Sequence, residues 1–263
     1  MVEAHPDYSR LAEVVGGLGL HEHLCVIYDT REEQFATALP YLRTGLERGE
    51  KCIYFADENT TAASLDALRI GGTDVDRYLR NGALTVSHKR ETDLQQERFD
   101  PDWWVGFLNQ ANAEAAATKF SALRILGDMD WELRGSASTE KLIEYESRIN
   151  HFVRDHDARV ICQYNRNCNA SELILGIVRT HPLVVYGGIV CKNPYYVPPG
   201  EFLKPNRAAQ ECERLLNNIL AWEQANRRCG TAKSVCGSSS TLFLHSFIQV
   251  CRTAHSISSI NVG

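Results

Sequence analysis

The chain has 263 residues, of which 44% are hydrophobic and 23% are charged, and its formal net charge is −5. This composition is typical of one large globular domain with short extensions, and it excludes collagen-like, fully disordered and small disulfide-scaffold proteins. Because 28 basic residues stand against 33 acidic ones, the chain has no overall basic field, so direct binding to nucleic acid is not expected.

The first residues, the lack of a long apolar run and the cysteine content predict a cytoplasmic protein. The first residues, MVEAHPD, lack the basic and then apolar pattern of a signal peptide. No run of 18 apolar residues occurs, so no membrane span and no membrane partner are expected. The chain has nine cysteines, an odd number, and no CxxC pair. We therefore expect reduced thiols, several of them buried in strands.

Apolar runs of strand length alternate with helical patterns along most of the chain. A short helix is predicted over 7–15. The predicted strands are 24–28, 52–56, 84–87, 123–126, 159–164, 183–186 and 189–191. Helical spacing of apolar residues follows most of them, and Gly187-Gly188 predicts a hairpin between the last two. This alternation predicts an α/β fold with a mainly parallel central sheet flanked by helices.

Composition divides the chain into four predicted parts. Residues 1–20 form a lead-in segment, 21–205 the main domain, 206–226 a C-terminal connector helix and 227–263 a weakly structured or disordered tail. The tail has no acidic residue and is rich in serine. The connector helix carries apolar residues at coiled-coil spacing. It is either a terminal helix docked on its own domain or a helix that dimerises and transmits a signal.

Polar and aromatic residues stand where the predicted parallel strands end. In such sheets ligands bind at the carboxyl ends of the strands. The candidates are Tyr28 with Asp29, Asp57 with Glu58, Asp128 with Asp130 and Trp131, and Tyr164 with Asn165. The same residue types also cap helices, and that alternative remains open for each of them.

The turn after the first strand does not have the pattern of a phosphate-binding loop. A P-loop requires the pattern GxxxxGK[ST] at this place. The sequence YDTREEQ at 28–34 contains neither glycine nor lysine, and it contains three carboxylates. Because these carboxylates would repel a triphosphate, ordinary nucleotide binding is not expected.

His21, His23 and Cys25 alternate, so a strand would place all three on one face. Histidine and cysteine together suit zinc or copper, and Cys162 and His181 are possible further ligands. The alternative is that these are polar residues at a strand entry beside a buried thiol. The sequence offers no G-x-S-x-G, HExxH or kinase signature.

Taken together, the motifs resemble the MEDS domain, the sensory domain named for methanogens, methylotrophs and the dichloromethane-responsive regulator. The resemblance covers about residues 20–205. It rests on HLCVIYD at 23–29, GEKCIYFADENT at 49–60, FDPD at 99–102, LRILGDMDW at 123–131, EYE at 144–146, CQY at 162–164, RTHP at 179–182 and NPYYVPP at 193–199.

The resemblance implies a RecA/KaiC-like core that has lost its ATP-binding loop. It further implies a non-catalytic domain that senses a small organic ligand and acts through a signalling partner such as a histidine kinase, or through self-association by helix 207–226. No metal or cofactor is predicted. The site residues carried over by the resemblance are His23, Cys25, Tyr28, Asp128, Trp131, Cys162, Tyr164 and His181.

Two other functions remain as alternatives at this point. The first is a divergent ATPase that would hold Mg²⁺ with Asp128 at a strand end. The second is a metal- or redox-responsive regulator that would use His21, His23, Cys25 and Cys162.

Overall fold

A computed structural model describes residues 8–87, 99–118, 120–130 and 138–233. Seven strands form one sheet in the order β3-β2-β4-β5-β1-β6-β7. The strands are β1 (His23–Tyr28), β2 (Lys51–Phe55), β3 (Leu84–Ser87), β4 (Leu123–Asp128), β5 (Ala158–Asn165), β6 (Leu183–Tyr186) and β7 (Ile189–Lys192). All neighbouring strands are parallel except β6 and β7. The predicted α/β class and mainly parallel sheet are therefore confirmed.

Helices lie before, between and after the strands along the chain. They are α1 (Ser9–Gly16), α2 (Arg31–Glu47), α3 (Glu58–Ile70), α4 (Val75–Arg80), α5 (Pro101–Ala117), α6 (Thr139–Asp155), α7 (Ser171–Thr180), α8 (Pro199–Phe202) and α9 (Arg207–Lys233). The predicted hairpin joins β6 to β7, and both of its glycines have the positive φ that this turn requires.

Side chains that follow the strands begin several of these helices. Asp57 accepts hydrogen bonds from the backbone amides of Asn59 and Thr60 at the start of α3. Asp100 caps α5 in the same way, with Pro101 in the first turn. For Asp57 the capping interpretation of the sequence is therefore the one that the structure supports.

Each face of the sheet has its own apolar core. On one face, side chains of α5, α6 and α7 such as Leu108, Ile149 and Ile177 pack on Ile125 and Val160 of the sheet. On the other face, α1, α2 and α3 pack on strand residues of the opposite parity, among them Leu24 and Leu126. The alternation of side chains along each strand therefore decides which helices each strand residue contacts.

The chain divides into two compact units, Met1–Leu203 and Lys204–Gly263. Helix α9 belongs to the second unit and continues to Lys233, seven residues beyond the end predicted at 226. The first residues of the predicted tail are thus helical, and residues 234–263 lie outside the described part of the chain. The division into four functional parts stays a prediction. Among the described helices, none is long and apolar enough to cross a membrane.

Candidate functional site

The residues predicted for the site fall into two groups on opposite faces of the sheet. Cys25, Cys162 and Tyr164 face the core beneath α5, α6 and α7. Tyr28 lies in the core on the other face. The single site expected at the strand ends is therefore replaced by a buried cluster and a separate strand-end group, each described below.

The buried cluster consists of His23, Glu146, Cys162 and His181, whose nearest polar atoms all lie within 4.8 Å of one another. His23 begins β1 and Cys162 lies within β5, which pairs directly with β1. Glu146 projects from the buried face of α6, and His181 follows the last residue of α7. None of the four is more than 2% exposed. Two strands and two helices thus bring these four buried side chains together in the core.

Backbone contacts fix the proton position on His181. Its Nδ1 lies 2.8 Å from the carbonyl oxygen of Ile177, which can only accept a hydrogen bond. Nδ1 therefore carries the proton and donates it. In the neutral ring this leaves a lone pair on Nε2, and that atom lies 3.3 Å from Oε2 of Glu146.

Asn150 fixes the proton on His23 in the same way. The side-chain nitrogen of Asn150 donates to the backbone carbonyls of Thr180, Glu146 and Ser147, so its Oδ1 is the atom that faces His23. That oxygen lies 3.3 Å from Nδ1 of His23, which must be the donor. The Nε2 lone pair then faces Glu146 Oε2 at 3.3 Å and Cys162 Sγ at 3.6 Å.

The two oxygens of Glu146 have different surroundings. Oε1 accepts a hydrogen bond from the hydroxyl group of Tyr164. Oε2 has no hydrogen-bond partner among the described residues, and neither does Nε2 of His181. Because buried polar atoms are nearly always paired, two unpaired atoms that face each other require an explanation.

Burial and mutual charge perturb the acid–base properties of these groups. Burial, together with the nearby His181, lowers the pKa of His23 to about 4. Burial raises the pKa of the Cys162 thiol, and the Glu146 carboxylate raises it further. For Glu146, burial favours the neutral acid, but contacts with the two histidines outweigh it and hold the pKa below its usual value. The shifts of His23 and Glu146 depend on different proton positions, since a histidine lowers the pKa of Glu146 only when its Nε2 carries a proton.

The strand-end group lies at the carboxyl edge of the sheet and centres on Asp128 and Asp130. The Tyr28 hydroxyl donates to Asp130 Oδ2 at 2.9 Å. Gln34, in the first turn of α2, donates to Asp128 Oδ2 at 3.1 Å. Asn169 donates to Asp130 Oδ1 at 2.7 Å. The two carboxylates therefore accept all three of these hydrogen bonds.

Asp128 is the carboxylic acid of the strand-end group whose pKa is shifted. It is 3% exposed, and burial raises its pKa to about 7, with the charge of Asp130 as the next cause. The hydrogen bond from Gln34 opposes this shift. A carboxyl whose pKa is raised to about 7, at the edge where parallel sheets bind ligands, is a candidate functional residue.

The side-chain carboxylate of Glu33 binds the backbone amides at the start of α2. Glu33 Oε2 accepts from the backbone amide of Asp29 at 2.7 Å and from that of Thr30 at 3.2 Å. Thr30 Oγ1 in turn accepts from the amide of Glu33 at 3.2 Å, which completes a capping box. These amides stand where a P-loop would receive phosphate, so the structure agrees with the absence of that motif.

Other residues singled out from the sequence lie outside these two groups. His21 precedes β1 with a positive φ of 67°, so the expectation that it shares a strand face with His23 is wrong. Cys25 does share that face and is fully buried, but it does not belong to the four-residue cluster. Asp29 forms an ion pair with Arg166. Trp131 lies outside the described residues.

Sequence reasoning missed the residues that complete both groups: Glu146, Asn150 and Gln34. All three lie on helices, whereas the predicted site residues lie on strands or next to them. One signal was available for Glu146, since it lies beside Leu142, Tyr145 and Ile149 on the apolar side of a predicted helix. A charged residue in an apolar stripe indicates a buried carboxylate that needs a partner.

Comparison with known families and proteins gives two matches in sequence. Residues 22–182 match the family model described as the methanogen/methylotroph, DcmR sensory domain, abbreviated MEDS. The chain is also 28% identical over 166 residues to the transcriptional repressor DcmR of Methylorubrum extorquens, a match that covers 62% of this chain and 59% of the repressor. The chain thus spans about three fifths of the length of that curated relative.

Solved structures resemble the chain in fold. An uncharacterized protein from Pyrococcus horikoshii, solved with an unknown peptide, has a TM-score of 0.50 at 12% identity and covers 67% of this chain and 81% of its own. A KaiC-like protein from the same archaeon has a TM-score of 0.44 at 14% identity, with coverages of 63% and 70%. The first of these similarities shows a shared fold.

Proposed function

The chain belongs to the MEDS family of sensory domains, and from this premise we propose that it binds a small organic molecule at the strand-end group and relays that event without catalysis. The observation that carries the proposal is the pair Asp128 and Asp130 at the carboxyl edge of the sheet, where burial raises the pKa of Asp128 to about 7. This edge is the ordinary ligand-binding place in parallel α/β sheets.

The charge of the group favours a class of ligand. Two largely buried carboxylates lie within hydrogen-bond reach of Tyr28 and Gln34. Such a group repels phosphates and carboxylates, whereas a hydroxyl or amine on a small molecule can donate to it. We therefore propose uncharged or cationic ligands rather than nucleotides.

The arrangement at the start of α2 argues against an ATPase. The amides of Asp29 and Thr30 already donate to Glu33, so a triphosphate would have to displace a bound carboxylate and approach two further carboxylates. A Mg²⁺ ion on Asp128 could reduce the repulsion, but it would not free these amides. ATP hydrolysis therefore remains the alternative to be tested and not the proposal.

Helix α9 is proposed to carry the response, either by self-association or by contact with a signalling partner such as a histidine kinase. Within this helix Leu215, Leu216, Ile219 and Leu220 are each more than half exposed. Their spacing continues the coiled-coil seam seen in the sequence. A relative that is a transcriptional repressor supports a regulatory output of this kind.

Thermal unfolding of the full chain with separate probes tests the proposal. The probes are dichloromethane, methanol, methylamine and ATP with Mg²⁺. A ligand that binds only the folded state raises the Tm. We expect a rise with at least one organic probe and none with ATP. A rise with ATP·Mg alone would overturn the proposal in favour of the ATPase.

Matched variants locate the binding. Asp128→Asn removes one of the two carboxylates of the proposed site while it keeps the side-chain shape. Asp100→Asn makes the same change at a helix cap, where asparagine also caps well. The organic-probe shift should vanish in the first variant and persist in the second. An equal shift in both would place the ligand elsewhere.

A further inference from the structure

The geometry of the buried cluster points to a metal site, whereas the sequence left metal binding only as an alternative and did not include Glu146 in it. We propose that His23, Glu146, Cys162 and His181 together bind one divalent transition-metal ion, with Zn²⁺ as the best match. The site lies on the opposite face of the sheet from the strand-end group, so it stands independently of the proposed sensing function.

The first argument is the direction of the lone pairs. Both histidines donate from Nδ1 to oxygen acceptors, so both Nε2 atoms present lone pairs to the same carboxylate oxygen. Lone pairs that face one another repel unless a proton or a cation lies between them. One proton can satisfy only one of these two contacts, whereas a metal ion in the centre satisfies both.

The second argument is the distance between the donor atoms. Zinc lies about 2.0–2.3 Å from nitrogen, oxygen and sulfur ligands, so the edges of its coordination tetrahedron are about 3.3–3.8 Å long. Glu146 Oε2 lies 3.3 Å from Nε2 of each histidine, and Cys162 Sγ lies 3.6 Å from Nε2 of His23. These three separations match tetrahedral edges, and all four donor atoms lie within 4.8 Å of one another.

The third argument is charge. The Glu146 side chain is fully buried, and its Oε2 has no hydrogen-bond donor among the described residues. A divalent ion bound by the carboxylate, one thiolate and two neutral imidazoles gives a site with no net charge. Because an isolated buried charge is very costly, neutralisation by an ion would stabilise this arrangement.

The groups behind the four ligands are those that metal sites require. Ligating histidines usually donate their other ring N–H to a carbonyl or carboxylate, and ligating carboxylates are hydrogen-bonded in turn. Ile177 and Asn150 provide the acceptors for the two histidines, and Tyr164 provides the donor for Glu146. A second contact therefore fixes the orientation of three of the four ligands, His23, His181 and Glu146.

The chemistry of the ligands selects the ion. Two imidazoles and a thiolate suit Zn²⁺ and its neighbours in the first transition row, whereas Mg²⁺ and Ca²⁺ prefer oxygen ligands. Four protein ligands leave no open position in a tetrahedral site. The ion would therefore tie α6 and the end of α7 to β1 and β5 rather than activate a substrate.

Metal analysis of the full chain tests the site directly. The chain is purified under reducing conditions without chelator, then unfolded and refolded with Zn²⁺ or with EDTA. We expect about one zinc per chain after refolding with Zn²⁺, and a lower Tm after refolding with EDTA. A chain that refolds without bound zinc, and with the same Tm in both buffers, would overturn the proposal.

A pair of cysteine variants separates ligation from general damage to the core. Cys162→Ala removes a proposed ligand, and Cys25→Ala removes the buried thiol that faces it across the β1–β5 pairing. Only the first should reduce zinc content and weaken affinity, by at least tenfold. Equal zinc content and affinity in the two variants would contradict ligation by Cys162.

Cobalt supplies a readout that does not depend on the stability of a variant. Refolding of the wild-type chain with Co²⁺ should produce the visible absorption of a tetrahedral site and a near-ultraviolet thiolate-to-cobalt band. The band should persist in Cys25→Ala, which retains all four proposed ligands. Octahedral Co²⁺ without a thiolate band in the wild-type chain would contradict the proposed ligand set.

Discussion

Nε2 of His181 lies 3.3 Å from Oε2 of Glu146, and neither atom has a hydrogen-bond partner among the described residues. Helix α6 supplies the carboxylate, and the residue that follows α7 supplies the ring. A close approach of two unpaired polar atoms in a dry core is costly unless a charge lies between them. Packing alone therefore does not explain this contact.

Loss of the Tyr164 hydroxyl should destabilise the chain more than loss of a comparable buried hydroxyl. Tyr164→Phe leaves Oε1 of the buried Glu146 carboxylate without its donor, at a cost of about 2–3 kcal/mol. Tyr54→Phe removes a hydrogen bond to the neutral Ser64 hydroxyl and should cost about 1 kcal/mol. Urea unfolding of both variants measures the difference. Equal costs would mean that Glu146 is not charged in the folded state.

Asp128 should make the protein less stable as the pH rises through neutrality. Its pKa is about 7 in the folded chain and 3.8 as the ordinary value, so between these values the folded state holds a proton that the unfolded state has lost. Stability therefore falls with rising pH in this window. From about pH 5 to about pH 8 the contribution is on the order of 2–3 kcal/mol.

The matching measurement compares the wild-type chain with Asp128→Asn. The variant cannot titrate at this position, so its unfolding free energy relative to wild type should increase from acid to mildly alkaline pH. Asp100→Asn, the same change at a partly buried helix cap, is the matched control. A constant difference for Asp128→Asn would show that its pKa is not raised.

Glu50 should be among the most sensitive charged residues of the fold. Its Oε2 accepts from Nε of Arg124 at 2.5 Å, and its Oε1 lies 3.1 Å from Nη1 of Arg159. Arg124 is fully buried. Glu50→Gln leaves these guanidinium groups without their counter-charge, and removal of one partner of a buried ion pair costs about 3–5 kcal/mol.

A surface ion pair provides the control for Glu50. Asp76 pairs with Arg69 at 2.8 Å, and both side chains are well exposed. Asp76→Asn should change the unfolding free energy much less than Glu50→Gln does, because solvent screens this pair. Chemical denaturation measures both variants, and comparable losses would contradict the buried network.

The capping box of α2 should contribute a moderate amount. Thr30→Ala removes the oxygen that accepts the amide of Glu33 and should cost about 1 kcal/mol. Thr30→Ser keeps that oxygen and should be nearly neutral. Urea midpoints of the two variants give the comparison, and a loss in Thr30→Ser equal to that in Thr30→Ala would assign the effect to the methyl group.

Several features could be predicted from the sequence because they depend on local patterns. The strands are short apolar runs that end in helix-capping residues, and this pattern fixes both their positions and their parallel arrangement. The missing phosphate loop could also be predicted, because that motif is contiguous. The partners of Glu146 could not be predicted, since they come from β1, β5 and the end of α7, and only tertiary packing brings these together.

The alternation of side chains along the strands predicted only part of the candidate site. Alternation along β1 correctly placed His23 and Cys25 on one face, but it could not show that His21 lies before the strand. Nor could it show that Tyr28 and Tyr164 face opposite cores, because facing depends on the register and orientation of each strand in the finished sheet.

The sequence by itself determined the fold class, the family and the absence of the phosphate loop, because each of these depends on patterns of contiguous residues. Tertiary structure alone decided which polar groups meet. It set Glu146 between two histidines and a thiol in the dry core, and it placed Gln34 of α2 against Asp128. The physical reason is that burial raises the cost of every unpaired polar atom, so the chemistry of these groups is decided by neighbours that packing selects.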